Sequence, residues 1–102
     1  MVNEEANWQE IHSEQFRFKE PGDIFIGVLL RKEKQVKYGV GWYVMRGEDM
    51  KEYGILGSIQ LDRLMMTIRP GERVRMVYDS QEDVPGGKVK IFRVYRSAPA
   101  KR

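Results

Sequence analysis

Apolar side chains recur at every second position in several stretches of this chain, and this alternation constrains the fold more than any other feature. In the first stretch, Ile24, Ile26 and Val28 would share one face of a β-strand, because successive side chains of a strand point to opposite sides. The stretches with a strand pattern are residues 24–30, 38–46, 51–58, 72–78 and 88–96. Turn-forming residues such as Pro70 and Gly71 separate them. The sequence therefore predicts a mainly β protein.

One stretch has the period of a helix instead. Leu61, Leu64, Met65 and Ile68 recur at spacings of three and four residues, which indicates a short amphipathic helix. Ser58 precedes this helix in the position of an N-cap. The predicted helix lies between the third and fourth strands.

Three strands, a short helix and two further strands are the element order of the OB-fold. We therefore expect a five-stranded Greek-key OB-fold barrel, a fold whose second and third strands and neighbouring loops form the usual binding surface. An SH3-like barrel is the nearest alternative. It usually has a shorter connection before its fourth strand, often a single 3₁₀ turn, where this chain has roughly ten residues of helical pattern.

The size and composition of the chain exclude several classes of protein. With 102 residues and 41% hydrophobic residues, it is long enough for one globular domain. The absence of cysteine excludes disulfides and thiolate metal sites, and it fits a reducing cytoplasm. The longest apolar run, residues 24–30, is too short to span a bilayer, and the acidic N-terminus is unlike a secretory signal. We expect no membrane association and a cytoplasmic location.

Charge is distributed unevenly along the chain. Residues 1–20 contain five acidic and two basic residues, whereas the other 82 contain sixteen basic and ten acidic ones. We therefore predict an acidic, mobile N-terminal arm over residues 1–15, an OB-fold domain over residues 16–96 and a disordered basic tail over residues 97–102. A basic body indicates a polyanionic partner, most often nucleic acid, although many soluble domains are mildly basic without one.

The sequence offers little for catalysis. His12 is the only histidine and lies in the predicted arm, and no second histidine or cysteine could complete a metal site with it. No acidic cluster has the spacing of metal ligands. Ser58 has no base partner in the pattern and is better explained as a helix cap. We expect a binding protein without cofactor or metal, not an enzyme.

Single-strand binders combine cations that follow the phosphate backbone with aromatic side chains on which bases stack. Both kinds of residue occur in the predicted second and third strands, the connector over residues 31–37 and the last strand. The candidate nucleic-acid-binding residues are Arg31, Lys32, Lys34, Lys37, Tyr38, Trp42, Arg46, Tyr53, Lys88, Lys90 and Arg93. Each also has a structural interpretation: a tryptophan is often buried, and lysines on an edge strand discourage aggregation.

Alternation divides the second predicted strand into two faces. One face holds Trp42 and Arg46, and the other holds Tyr43 and Met45. Because an arginine lies in line with Trp42, we expect that face to be exposed and Tyr43 and Met45 to lie in the core. A slip of one residue would invert the assignment and expose Tyr43.

Four short motifs together resemble one family. They are "PGD" at 21–23, "YG" at 38–39, "LGSIQLDRLM" at 56–65 and "PGERVRMVY" at 70–78. In this combination, over about residues 16–96, the chain resembles the small OB-fold single-stranded DNA-binding proteins of bacteriophages and mobile elements. The resemblance implies binding of single-stranded DNA during replication, recombination or strand protection, in the host cytoplasm. Many such proteins end in an acidic tip that recruits partners, whereas this chain ends "SAPAKR".

Two alternatives remain open at the level of sequence. Trp8 in the acidic arm and an exposed Met66 would suit a protein-interaction or assembly module, including a homo-oligomer. OB-folds also bind RNA, and nothing in the sequence separates RNA from DNA as the partner.

Overall fold

The computed structural model of the protein describes residues 14–97, of which 58% lie in β-strands. The elements are β1 (Glu14–Gln15), β2 (Ile24–Gln35), β3 (Val40–Gly47), β4 (Glu52–Leu56), α1 (Ile59–Met65), β5 (Arg73–Val84) and β6 (Gly87–Arg96). The prediction of a mainly β protein with one short helix between strands is confirmed. In this part of the chain no helix is long and apolar enough to cross a membrane.

All six strands belong to one sheet, in the order β1-β4-β3-β2-β5-β6. β1 runs parallel to β4, and every other neighbouring pair is antiparallel. The long strand β2 lies at the centre, where it pairs with β3 along one edge and with β5 along the other. β1 and β6 are the outermost strands among the described residues, so backbone pairing does not close the sheet.

The sequence predicts five strands, and the sixth is the two-residue β1. Glu14 and Gln15, which the sequence places at the end of the acidic arm, pair with Tyr53 and Gly54 of β4. Two residues are too few to show alternation, so the pattern could not reveal them. Residues 1–13 of the predicted arm, including Trp8 and His12, and residues 98–102 of the predicted tail lie outside the described residues.

Two strands are longer than their apolar patterns. The sequence predicts a connector over residues 31–37 and no strand over residues 79–87, and both predictions are wrong for most of these residues. β2 continues to Gln35, which pairs with Val40, and β5 continues to Val84, which pairs with Gly87 across the turn at Pro85 and Gly86. The β5–β6 extension is an exposed two-stranded hairpin, so both of its faces meet water and no apolar alternation marks it. The extension of β2 carries exposed polar residues as well, although it pairs with the buried residues Tyr43 and Val44 of β3.

The core lies between the inner face of the sheet and α1. Tyr43 and Met45 are buried in it, as the alternation predicts. Trp42 lies on the outer face but is partly buried, and Val44 beside it on that face is only 1% exposed, so the predicted exposure of this face holds for Arg46 but not for Val44. Leu61 and Met65 of the helix and Ile68 beyond it are also buried. The helix ends at Met65, earlier than the pattern suggests, and Leu64 remains 37% exposed. The predicted apolar stripe is therefore narrower than four residues.

Candidate nucleic-acid interface

The outer face of the sheet, the side that carries Trp42, brings three of the predicted residues into one neighbourhood. Trp42 of β3 is directly opposite Leu56 of β4, and its indole lies over Gly54. Arg46 is further along β3 on the same face. Arg31 of β2 is opposite Val44, the residue between them on that face.

Carboxylates accompany these cations, so the outer face near Trp42 is not strongly basic. Glu33 is directly opposite Trp42 and forms an ion pair with Arg31, with 2.5 Å between Nε and Oε2. Glu52 is directly opposite Arg46. Since an exposed ion pair contributes only about 0–1 kcal/mol, Arg31 could exchange Glu33 for a phosphate at little cost. This face offers an aromatic platform and modest positive charge.

A β-bulge between Leu29 and Arg31 separates Lys32 and Lys34 from Trp42. After the bulge, Lys32 is opposite the inward-facing Tyr43, and it therefore points toward the helix side of the sheet. Its Nζ donates hydrogen bonds to the carbonyl oxygens of Met65, at 2.7 Å, and Met66, at 3.4 Å. Lys32 therefore stabilises the C-terminal end of α1, where carbonyl groups lack helical partners.

Tyr53 also lies away from Trp42. It is opposite Met45 on the inner face, and its ring packs edge-on against Phe16 and Phe25. Its hydroxyl donates a 2.5 Å hydrogen bond to Oδ2 of Asp49. This bond raises the pKa of Tyr53 and lowers the pKa of Asp49. The structure therefore gives Tyr53 a packing role rather than a position on the outer face.

A groove of about 990 Å³ lies between the segment after β1, the β4–α1 connection and β6. It is lined by residues 15–19, Tyr38, Val40, residues 55–60, Arg63, residues 88–90 and Phe92. Five of these lining residues are cations, namely Arg17, Lys19, Arg63, Lys88 and Lys90, and none of the described lining residues is acidic. The groove is therefore the place where the structure concentrates positive charge.

Most of these cations have no carboxylate partner. The side chains of Arg17, Lys19, Arg63 and Lys88 form no ion pair or hydrogen bond with any residue from 14 to 97, although the backbone N–H of Lys19 donates to the Asp23 carboxylate at 2.8 Å. Lys90 reaches across the groove, and its Nζ donates a 2.6 Å hydrogen bond to the carbonyl oxygen of Phe18. Positive potential in the groove is therefore left available to a ligand.

Several arginines on other surfaces contrast with those of the groove, because they form ion pairs with carboxylates. Arg93, a predicted site residue, lies on the outer face opposite Val77, with its Nε 3.4 Å from Oδ1 of Asp79. Arg73 binds Glu48 at 2.7 Å. These partners reduce the charge that the outer face of β5 and β6 can offer to phosphates.

The groove and the outer face join beside Trp42. Val40 and Leu56 line the groove, and Leu56 is the direct cross-strand neighbour of Trp42. Tyr38 lies at the rim with 59% of its surface exposed, and the ammonium of Lys37 is 5.3 Å from its ring centroid. The sequence-predicted residues Tyr38, Lys88 and Lys90 therefore line one groove, and Trp42 lies next to its edge at Leu56.

Sequence reasoning missed Arg17, Lys19 and Arg63. The first two alternate with Phe16 and Phe18, and this pattern of aromatic and cationic residues was the available signal. Arg63 carried no such signal, because only the docking of α1 against β6 brings it to the groove.

Asp62 of α1 fixes the strand that carries Trp42. Its carboxylate accepts a 2.6 Å hydrogen bond from the hydroxyl of Tyr43 and a 3.0 Å bond from the backbone N–H of Gly41. Burial, together with the bond to Asp62, raises the pKa of Tyr43. A Cβ on Gly41 would lie 2.7 Å from the Tyr43 hydroxyl oxygen, so this contact requires glycine. Trp42 is therefore held between two anchored residues.

Comparison of the chain with models of known families, with curated proteins and with solved structures finds no significant match. Between residues 14 and 97, no group of three or more histidine, cysteine or acidic residues is placed to hold a metal ion.

Proposed function

We propose that this chain binds single-stranded DNA with little sequence preference and acts by binding alone. The observation that carries the proposal is the groove, in which the side chains of four cations form no ion pair with residues 14–97 and which has the exposed Tyr38 at its rim and the partly buried Trp42 next to its edge. Cations that follow phosphates beside aromatic stacking platforms are the two components of single-strand binding sites. The setting that the family resemblance implies, in replication, recombination or strand protection in a host cytoplasm, is part of this proposal.

Two uncharged polar side chains of the groove, those of Gln60 and Ser58, support low sequence preference, because the fold already uses them. Reading a base requires hydrogen-bonding groups that are available to its edges. The amide of Gln60 is occupied on both sides, because it donates to the carbonyl of Phe92 at 2.9 Å and accepts from the N–H of Phe92 at 3.0 Å. Ser58 accepts from the N–H of Leu61 as the helix cap. These two groups contribute to folding and are not available to read base edges.

We propose further that the sheet is an OB-fold in its partly open form. An OB-fold is a partly open Greek-key barrel with its binding surface on the second and third strands and the flanking hairpin loops. Two features support this assignment: the first long strand, β2, pairs with both β3 and β5, and α1 connects β4 to β5. Trp42 then lies on the second strand of the five-strand pattern, and Lys88 lies beside the last hairpin turn.

Titration with oligo-dT tests the proposed function. The chain has two tryptophans, so a Trp8→Phe background leaves Trp42 as the reporter of base stacking. We expect a change in Trp42 fluorescence on binding and an affinity that falls with salt, with a slope of roughly 0.7 per phosphate contacted. Lys88→Ala should reduce that slope, and Arg73→Ala, which removes a cation outside the groove, is the matched control. Absence of binding at low salt would reject the proposal.

RNA shares the chemistry that these residues recognise, and competition between DNA and RNA oligomers of equal length distinguishes the two partners. An assembly function has one supporting observation. Ile59, Leu64 and Met66 on or next to α1 are exposed, and Met66 reaches 73%. Light scattering after size exclusion tests this alternative, since a monomer at all concentrations would exclude self-assembly through this surface.

A further inference from the structure

We propose that the groove takes unpaired bases into its apolar floor while its rim cations hold the phosphates. This inference rests on the proposed function and names how the site distinguishes a single strand from a duplex. Stacking on Trp42 would then be one of two separate contacts with bases.

The floor of the groove is suited to flat apolar faces. Phe16, Ile55, Leu56, Ile59, Val89 and Phe92 supply apolar lining. Ile55 and Phe92 are buried core residues that lie beneath the floor, whereas Ile59 is 72% exposed and Val89 is 42% exposed and both offer apolar surface. Because the inner residues are fixed by core packing, the floor is already formed before a ligand arrives.

The volume of the groove also fits the inference. Pockets for drug-sized molecules occupy about 300–1,000 Å³. At about 990 Å³, the groove has room for more than one base, each of which is smaller than such a molecule. A site that contacted phosphates alone would need a charged surface but not an apolar recess.

The charges lie where phosphates of inserted nucleotides would be. Arg17 and Lys19 alternate with Phe16 and Phe18, and Phe18 is buried while both cations are exposed. Lys88 is exposed on the opposite side, on β6. A nucleotide has the same division, with an apolar base face and a charged phosphate. In a duplex the bases are paired and stacked inside, so a duplex could reach only the rim.

Abasic oligonucleotides separate the two parts of the groove. We would measure fluorescence anisotropy with labelled oligo-dT, an oligomer of the same length with abasic sites, and a duplex of that length. The proteins are the full-length chain and its Trp42→Ala variant. We expect the abasic sites to weaken binding by about tenfold or more in both proteins, because groove contacts with bases do not depend on Trp42. The duplex should bind about as weakly as the abasic oligomer.

Equal affinity of Trp42→Ala for oligo-dT and the abasic oligomer would overturn the inference and leave Trp42 as the sole base contact. Failure of both oligomers to bind the unmodified chain would instead reject the proposed function itself. The two failures are therefore distinguishable.

Two groove variants give a second readout. Ile59→Asn alters an exposed floor residue, so the fold should tolerate it. This variant should weaken the binding of oligo-dT severalfold and leave the affinity for the abasic oligomer unchanged. Lys88→Gln removes a rim charge and should weaken both oligomers by the same factor. If Ile59→Asn also weakens both equally, the floor does not hold bases and the inference is overturned.

Discussion

The indole of Trp42 lies directly over Gly54 of the neighbouring strand, and a Cβ on Gly54 would occupy the space of its ring atom Cζ2. Gly54 is opposite Val44, so the indole extends along the outer face from its own position toward the next cross-strand pair. Gly54 therefore leaves the space that the indole occupies, and in this way it sets the orientation of Trp42, the candidate stacking residue.

We predict that Gly54→Ala destabilises the protein by about 1–3 kcal/mol and weakens oligo-dT binding, because the added methyl group displaces the indole. Urea unfolding and Trp42 fluorescence in the Trp8→Phe background measure the two effects. The matched control is Gly54→Ala combined with Trp42→Ala, in which the overlap is absent. If Gly54→Ala lowers the free energy of unfolding by the same amount with and without Trp42, the overlap with the indole is not the cause of the destabilisation.

The contact of Asp62 with Tyr43 and Gly41 leads to a second prediction. Asp62→Asn keeps the shape but leaves one fewer acceptor for the two donors, so we expect a loss of about 1–3 kcal/mol in the free energy of unfolding. Asp83→Asn, on the exposed β5–β6 hairpin, is the control and should change stability little. Equal effects of the two substitutions would argue against the anchoring role of Asp62.

Stability at alkaline pH should depend on Tyr43. Its folded-state pKa is raised above the ordinary value of 10.0, so its contribution to stability is complete below about pH 10. As pH rises further, the unfolded chain ionises this tyrosine first, and the contribution is lost up to the folded-state pKa. We predict that the free energy of unfolding falls above pH 10 and that Tyr43→Phe removes part of this fall. An identical pH profile in the variant would contradict the assignment.

The sequence could predict which side chains of residues 39–47 face the core, because alternation and the position of Arg46 are local signals. The position of Lys32 could not be predicted in this way. The bulge between Leu29 and Arg31 reverses the face of the sheet to which each later side chain of β2 points, and no local sequence pattern reveals it. The long β5–β6 hairpin was missed for a different reason, since polar residues on a ribbon exposed on both faces resemble a loop.

The groove shows a further limit of sequence reasoning. Its cations come from the segment after β1, from α1 and from β6. Lys19 and Arg63 are 44 residues apart, and Arg63 and Lys88 are 25 residues apart, so these segments meet only through the topology. A sequence pattern can show that each segment is basic. It cannot show that Arg17, Arg63 and Lys88 face the same space.

The two lysines Lys32 and Lys88 should differ in their effects, although both are candidate phosphate contacts in the sequence. Lys32→Ala removes the hydrogen bond to the Met65 carbonyl, so we expect it to lower stability by roughly 0.3–1 kcal/mol and to change the salt slope of DNA binding little. Lys88→Ala should instead reduce the salt slope of DNA binding and change the stability little. Unfolding curves and salt titrations of both variants test this pair, and a larger slope change for Lys32→Ala would contradict the geometry.

Deleting residues 2–13 should strengthen DNA binding at low salt. These residues contain three glutamates and no lysine or arginine, so they oppose the binding of phosphates to a basic groove that begins at Gln15. The deletion stops before Glu14 so that β1 and its pairing with β4 are retained. A matched variant with Glu4, Glu5 and Glu10 changed to glutamine separates charge from chain length, and it should reproduce the gain. The gain should shrink as salt is raised, because screening weakens this repulsion. Unchanged or weaker affinity in both variants at low salt would show that the acidic segment does not compete with DNA.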